Sequence, residues 1–164
     1  MKQFFLSLIF MSIINFSCTS RNNNHMDLFN ETAAISSVDS FPKIILKWKV
    51  LTSSINKKNA TMSTLYGNDW AFNYSKQNQG SFYPVGARIA LVTWLQQADK
   101  HWFGANIPGK IKTIEIIAFE NKAGKRVETY LKYEGQPLIA SKTDAAFNIK
   151  RINFILNQRI ALRV

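Results

Sequence analysis

The sequence predicts an α+β domain: a mostly antiparallel β-sheet of about five strands with flanking helices. Three observations predict it. Short runs such as KIILKWKVL (43–51) and VETYLKYE (127–134) alternate apolar and polar residues, the period of a half-buried strand. The turn at 121–126, which contains Gly124, joins two such runs as a hairpin. The C-terminal apolar positions Ile149, Ile152, Leu156 and Ile160 instead keep helical spacing.

The elements follow in order. Within 43–51, Ile44, Leu46, Trp48 and Val50 alternate with Ile45, Lys47 and Lys49, so the domain is expected to start near Lys43 with a strand. A basic loop, 56–60, leads to a short strand over 61–66. Gly67-Asn68-Asp69 opens a helix to about Gln77, with Asn68 or Asp69 as its cap. Gly80 and Pro84 end it. RIALVTWLQ (88–96) is apolar on both faces, as a central strand must be. A loop with Gly104, Pro108 and Gly109 precedes a strand at 111–120, and the hairpin then returns along 127–134. After the EGQP turn, Thr143 or Asp144 caps the last helix.

The N-terminus reads as an export signal. Lys2 supplies a positive start, and 4–16 is an uncharged, almost wholly apolar run, too short to span a membrane. The run stops at Ser17-Cys18, and a small residue followed by cysteine resembles a bacterial lipoprotein cleavage site. Cys18 would then carry lipid as the first mature residue; the simpler alternative discards it with the signal. The expected organisation is a signal peptide over 1–17, a lipidated, Asn/Ser-rich tether over 18–42, and one domain over 43–164. A short helix is possible over 27–40. With Cys18 spent on lipid, the exported part has no cysteine for a disulfide, a thiolate metal site or a thioether-linked haem. The location that follows is the periplasmic side of a bacterial membrane, expected to be the outer one, with the membrane as partner through the lipid.

The chain carries 21 Lys and Arg against 10 Asp and Glu, a net charge of +11. Such a balance suits nucleic acid or anionic surfaces. For an exported protein with scattered lysines and no basic cluster interleaved with aromatics, no nucleic-acid partner is expected. The basic surface suits anionic lipid headgroups instead.

Three stretches carry a family likeness: TLYGNDWAFNY (64–74), YPVGARIALVTW (83–94) and HWFGANIPGKIKTIEIIAFEN (101–121). Their order and spacing resemble the cytochrome P-460 family and the related cytochromes c'-beta, over roughly 43–160. The resemblance implies a small antiparallel-sheet domain with flanking helices. In the haem members it implies periplasmic hydroxylamine or nitric oxide chemistry, with haem attached through a C-terminal Cys-x-x-Cys-His. That motif is missing here, and 134–144 is short where the family carries its haem-binding stretch, with family-like text resuming at KTDAAF. The resemblance also implies a lysine cross-linked to the porphyrin, at a position that is Leu91 here. Its distal arginine falls near Ser63. Glu115 matches the family's acidic distal residue.

The residues themselves also single out Glu115. On its strand face it would keep company with Ile111, Thr113, Ile117 and Phe119, and a carboxylate among apolar neighbours marks a candidate site. Equally, it could pair with a nearby Lys or Arg, or face solvent at an edge. Leu91, Glu115 and Ser63 are therefore the candidate pocket residues, with Glu115 the candidate distal acid. His101 is a weak metal candidate, because the other histidine, His25, lies in the tether. The resulting expectation is a haem-less cytochrome P-460-like domain in a lipoprotein, binding a small ligand or a partner without redox catalysis. No cofactor is expected, and haem only if held non-covalently; in that alternative the protein handles nitric oxide or hydroxylamine. A third class, a structural envelope protein acting through its basic surface, predicts salt-sensitive binding to anionic membranes.

Overall fold

The computed structural model describes residues 41–77 and 80–161. The signal peptide, Cys18, His25 and the helix expected over 27–40 lie outside the described residues. Among the described residues nine elements follow one another: α1 (Phe41–Leu46), β1 (Lys49–Asn56), β2 (Thr61–Gly67), α2 (Asp69–Gln77), β3 (Arg88–Ala98), β4 (Asn106–Lys122), β5 (Lys125–Glu134), β6 (Ile139–Ala140) and α3 (Ala145–Leu156). The six strands form one antiparallel sheet in the order β1-β2-β3-β4-β5-β6, so every strand pairs with its neighbour in sequence. The α+β class holds; the strand count is six rather than about five, the addition being two-residue β6.

β3 is central, as its two-sided apolar pattern requires. Ile89 and Leu91 bury on one face, and Ala90, Val92 and Trp94 on the other. The first face packs Leu51, Leu65, Ile117, Phe119 and Tyr130 against Ala71 of α2 and Ile152 and Ile155 of α3. The second packs Ile111, Ile114 and Ile116 against Ile45 of α1. Fully burying each such Leu, Ile or Phe contributes about 1.5–3 kcal/mol. Packing on both faces is what makes so long a meander stable.

Two local expectations are corrected. The run 43–51 is not one strand, because α1 takes its first half and buries Ile45 while Ile44 and Val50 face solvent. Apolar residues on both sides of a lysine fit a helical turn as well as a strand, and Pro42 favours a helix start. Ile111 is not on the Glu115 face. The pairing steps from Thr93↔Thr113 to Trp94↔Ile111, a bulge that turns Ile111 to the second face.

Three turns and caps match their sequence signals. The β4–β5 connection is a two-residue hairpin, with Ala123 and Gly124 both at positive φ, the turn that follows strand twist. Asn68 is the α2 cap, since its Oδ1 accepts from Ala71 N at 3.0 Å. Asp144 caps α3, accepting from Phe147 N at 2.7 Å.

Candidate functional site

The site lies on the first face, where α3 crosses β4 and β5. Antiparallel register arranges this face in rows. One row is apolar: Ile89, Ile117 and Tyr130 stand side by side. The next runs Leu65, Leu91, Glu115, Lys132. The third is a row of hydroxyls, Ser54, Ser63, Thr93 and Thr113, closed by Glu134. Ser63 and Thr93 share a hydrogen bond of 3.0 Å. These four hydroxyl residues are half-buried or exposed, whereas Leu91 and Glu115 are buried.

Glu115 is 4 % exposed and fully engaged. Arg151 of α3 donates to it twice, from Nε to Oε1 at 2.7 Å and from Nη2 to Oε2 at 2.6 Å. The Tyr130 hydroxyl donates to Oε1 from β5. This bidentate fork is the strong geometry for a guanidinium and a carboxylate. Burial removes water, so the pair's attraction is less screened than at the surface, and the fork satisfies both oxygens. The bond to Glu115 raises the Arg151 pKa above its ordinary value, against the opposing effect of burial. Burial pushes the Tyr130 phenol well above the usual range, and the hydrogen bond to Glu115 adds to that. Tyr130 therefore stays a proton donor across any ordinary pH.

Aromatic rings wall the cluster. Arg151 lies over the Phe154 ring at 4.6 Å, and Phe147 stands edge-on to Tyr130 at 6.5 Å between centroids. Lys132, beside Glu115 on the sheet, bonds Glu134 at 2.6 Å, and Ser141 bonds the other Glu134 oxygen at 2.7 Å. These bonds close the short 134–143 connection. The Lys132 and Ser141 hydrogen bonds hold the Glu134 carboxyl below the usual carboxylate range.

The three predicted pocket residues thus share one face. Leu91 is directly opposite Glu115, and Ser63 is one row away on β2. Of the alternatives for Glu115, the structure takes the ion pair. Sequence reasoning missed Arg151 and Tyr130. Tyr130 was readable, because it alternates onto the same strand face as Lys132; Arg151 was one of many basic residues and gave no such signal. His101 is elsewhere, exposed in the β3–β4 loop, where its backbone N–H donates to Asp99 at 2.7 Å. Among the described residues no group of three His, Cys, Asp or Glu side chains could hold a metal ion.

A meandering sheet carrying a buried acid beneath a C-terminal helix defines a class of small sheet-and-helix domains with a one-faced site. The chain belongs to the Cytochrome P460 family, whose model matches residues 42–148. No curated protein sequence matches it significantly. A cytochrome family implies haem, a group that the residues of this chain would have to hold. They do not fit its covalent, histidine-ligated form: residues 19–164 contain no cysteine, and the one described histidine is off the site. At Glu115, the candidate distal acid, the carboxylate is already held by Arg151 and Tyr130.

Proposed function

We propose that this is an exported lipoprotein, anchored through Cys18 on the periplasmic side of the outer membrane, whose domain binds a small polar ligand or a partner without redox catalysis. Family membership points to a haem-binding periplasmic protein, and the periplasmic half of that is kept. The observation that carries the reading is the Arg151–Glu115–Tyr130 cluster beside the hydroxyl row. A fixed, charge-compensated wall next to a strip of accessible hydroxyls suits a ligand that both donates and accepts hydrogen bonds. The cluster is also a poor place for an open-coordination iron, since its carboxylate and guanidinium satisfy each other. No helix of the described residues is long and apolar enough to cross a membrane.

A second reading is favoured by the family match itself: non-covalent haem handling nitric oxide or hydroxylamine. An optical titration decides between them. The mature chain is purified from cells making ample haem, then mixed with excess haemin and passed through gel filtration. The expected spectrum shows no stoichiometric Soret band before or after. A retained stoichiometric band would sink the haem-less reading and put the second in its place.

A further inference from the structure

Past the hydroxyl row, strands β1–β4 end in loops that the site described above does not use. Two connections lie together there. The β1–β2 turn over 57–60 is tied to β3 by Gln96 N donating to Ala60 O at 2.8 Å, just before the β3–β4 loop over 99–105 begins. That loop is closed by Asp99 N donating to Ala105 O at 2.9 Å and Ala105 N donating to Trp102 O at 3.1 Å, with Gly104 at φ +77. Gly104 takes the left-handed conformation that a larger residue resists. The closed loop holds two adjacent large rings in solvent: Trp102 is 71 % exposed and Phe103 fully so. A singly exposed apolar side chain is ordinary, but two neighbouring rings at one tip form a patch.

The same end of the sheet is basic. Lys57, Lys58 and Lys100 are exposed in the same two connections, and Lys110 and Lys112 are exposed on the adjoining part of β4. Asp99 is the only acid in the two connections, and its carboxylate is engaged by the His101 N–H. Tryptophan and phenylalanine at a tip whose own and neighbouring segments carry exposed lysines match the chemistry of a bilayer interface, where rings enter the headgroup layer and lysines meet anionic lipid.

We propose that this end of the sheet is a membrane-contact surface, with Trp102 and Phe103 entering the headgroup layer of an anionic bilayer and Lys57, Lys58 and Lys100 neutralising its lipids. The contact is made by the folded domain and does not depend on Cys18.

The test uses the full chain with Cys18→Ser, so that an introduced cysteine is the single thiol. Phe103→Cys carries an environment-sensitive fluorophore; Lys122→Cys, at the other end of β4, carries the same label as a control. Phe103 makes no core contact to lose, and circular dichroism confirms that both chains fold. Each is mixed with vesicles of phosphatidylcholine, with or without phosphatidylglycerol, some bearing nitroxide-labelled lipid. The expected result is a blue-shifted label at 103 that nitroxide lipid quenches, only with phosphatidylglycerol present, while the label at 122 stays in water. Neutralising the three lysines to glutamine is expected to weaken the binding roughly hundredfold. A label at 103 that remains in water on phosphatidylglycerol vesicles overturns the proposal, whether or not the chain binds them elsewhere. Equal insertion into pure phosphatidylcholine overturns it too, because the lysines would then have no part.

Discussion

Arg151 holds Glu115 in a two-bond fork, at 2.7 and 2.6 Å, across 36 residues of sequence. The bond joins the last helix to the middle of the sheet. It makes α3 a part of the site as well as a lid on the core.

Removing the guanidinium leaves a buried carboxylate with one neutral partner. Arg151→Met is therefore expected to destabilise the fold by about 3 kcal/mol. Arg151→Lys recovers only part of this, because an ammonium cannot form the planar fork. The double variant Glu115→Leu with Arg151→Met is expected to recover most of the loss, since no charge is then left buried. Urea unfolding of the four chains checks this; equal stability of Arg151→Met and the wild type would refute a structural role for the pair.

Alkaline pH probes the same cluster. The folded pKa of Tyr130 is raised, first by burial and then by Glu115, while the unfolded phenol ionises near its ordinary 10.0. Between those values the folded state holds a proton that the unfolded state has lost, so stability is full below about pH 10 and declines as pH rises above it. Tyr66 and Tyr83 are shifted the same way, mainly by burial, and add to the slope. Tyr130→Phe should flatten the decline between pH 10 and 12 in thermal melts, by more than Tyr66→Phe does. An unchanged slope would mean that Tyr130 ionises freely in the fold.

Asn68 joins three segments. Its Oδ1 accepts from Ala71 N and Arg88 N, each at 3.0 Å, and its Nδ2 donates to Gly86 O at 2.9 Å. Asn68→Ala should cost about 2 kcal/mol, the upper end for a lost cap, because the β3 entry is loosened as well. Asn68→Asp keeps the acceptor and loses the donor, so a smaller loss is expected. Chemical denaturation of both variants gives the comparison.

His101 lies in the β3–β4 loop, outside the rows that make up the site. If any haemin binds, His101→Ala is expected to leave its Soret band unmoved, while Arg151→Met alters it. A band lost with His101→Ala would place the ligand in the loop.

Most of the fold was legible because this sheet is a meander. Alternation within 127–134, the two-sided run of β3 and the Gly124 turn are local signals, and a meander needs only local pairing. What failed was registration. A bulge moved Ile111 to the other face, which no alternation rule could register. The C-terminal helix was found with one position of its stripe misplaced: Ile152 and Leu156 pack against the core, as does Ile160 from beyond the helix end. Ile149 is 60 % exposed, whereas Ile152 and Ile155 bury, because the inward face also carries Arg151. An apolar stripe interrupted by a counter-ion looks rotated when only apolar residues are counted. Glu115 was legible as an anomaly, but its partner was distant in sequence and had to come from the fold.

The neighbour-by-neighbour strand order has a kinetic consequence. Each hairpin can close on its own as the chain emerges, so this sheet needs little long-range search, and its assembly is expected to be fast for an all-antiparallel one. The distant links are the late ones: Arg151 to Glu115, and Ala161 N donating to Leu51 O at 3.0 Å. α3 and Ala161 thus act as a latch, and the first face stays open until they arrive. Transition-state analysis should find Ile116 and Leu131 strongly native-like, and Ile155 hardly formed.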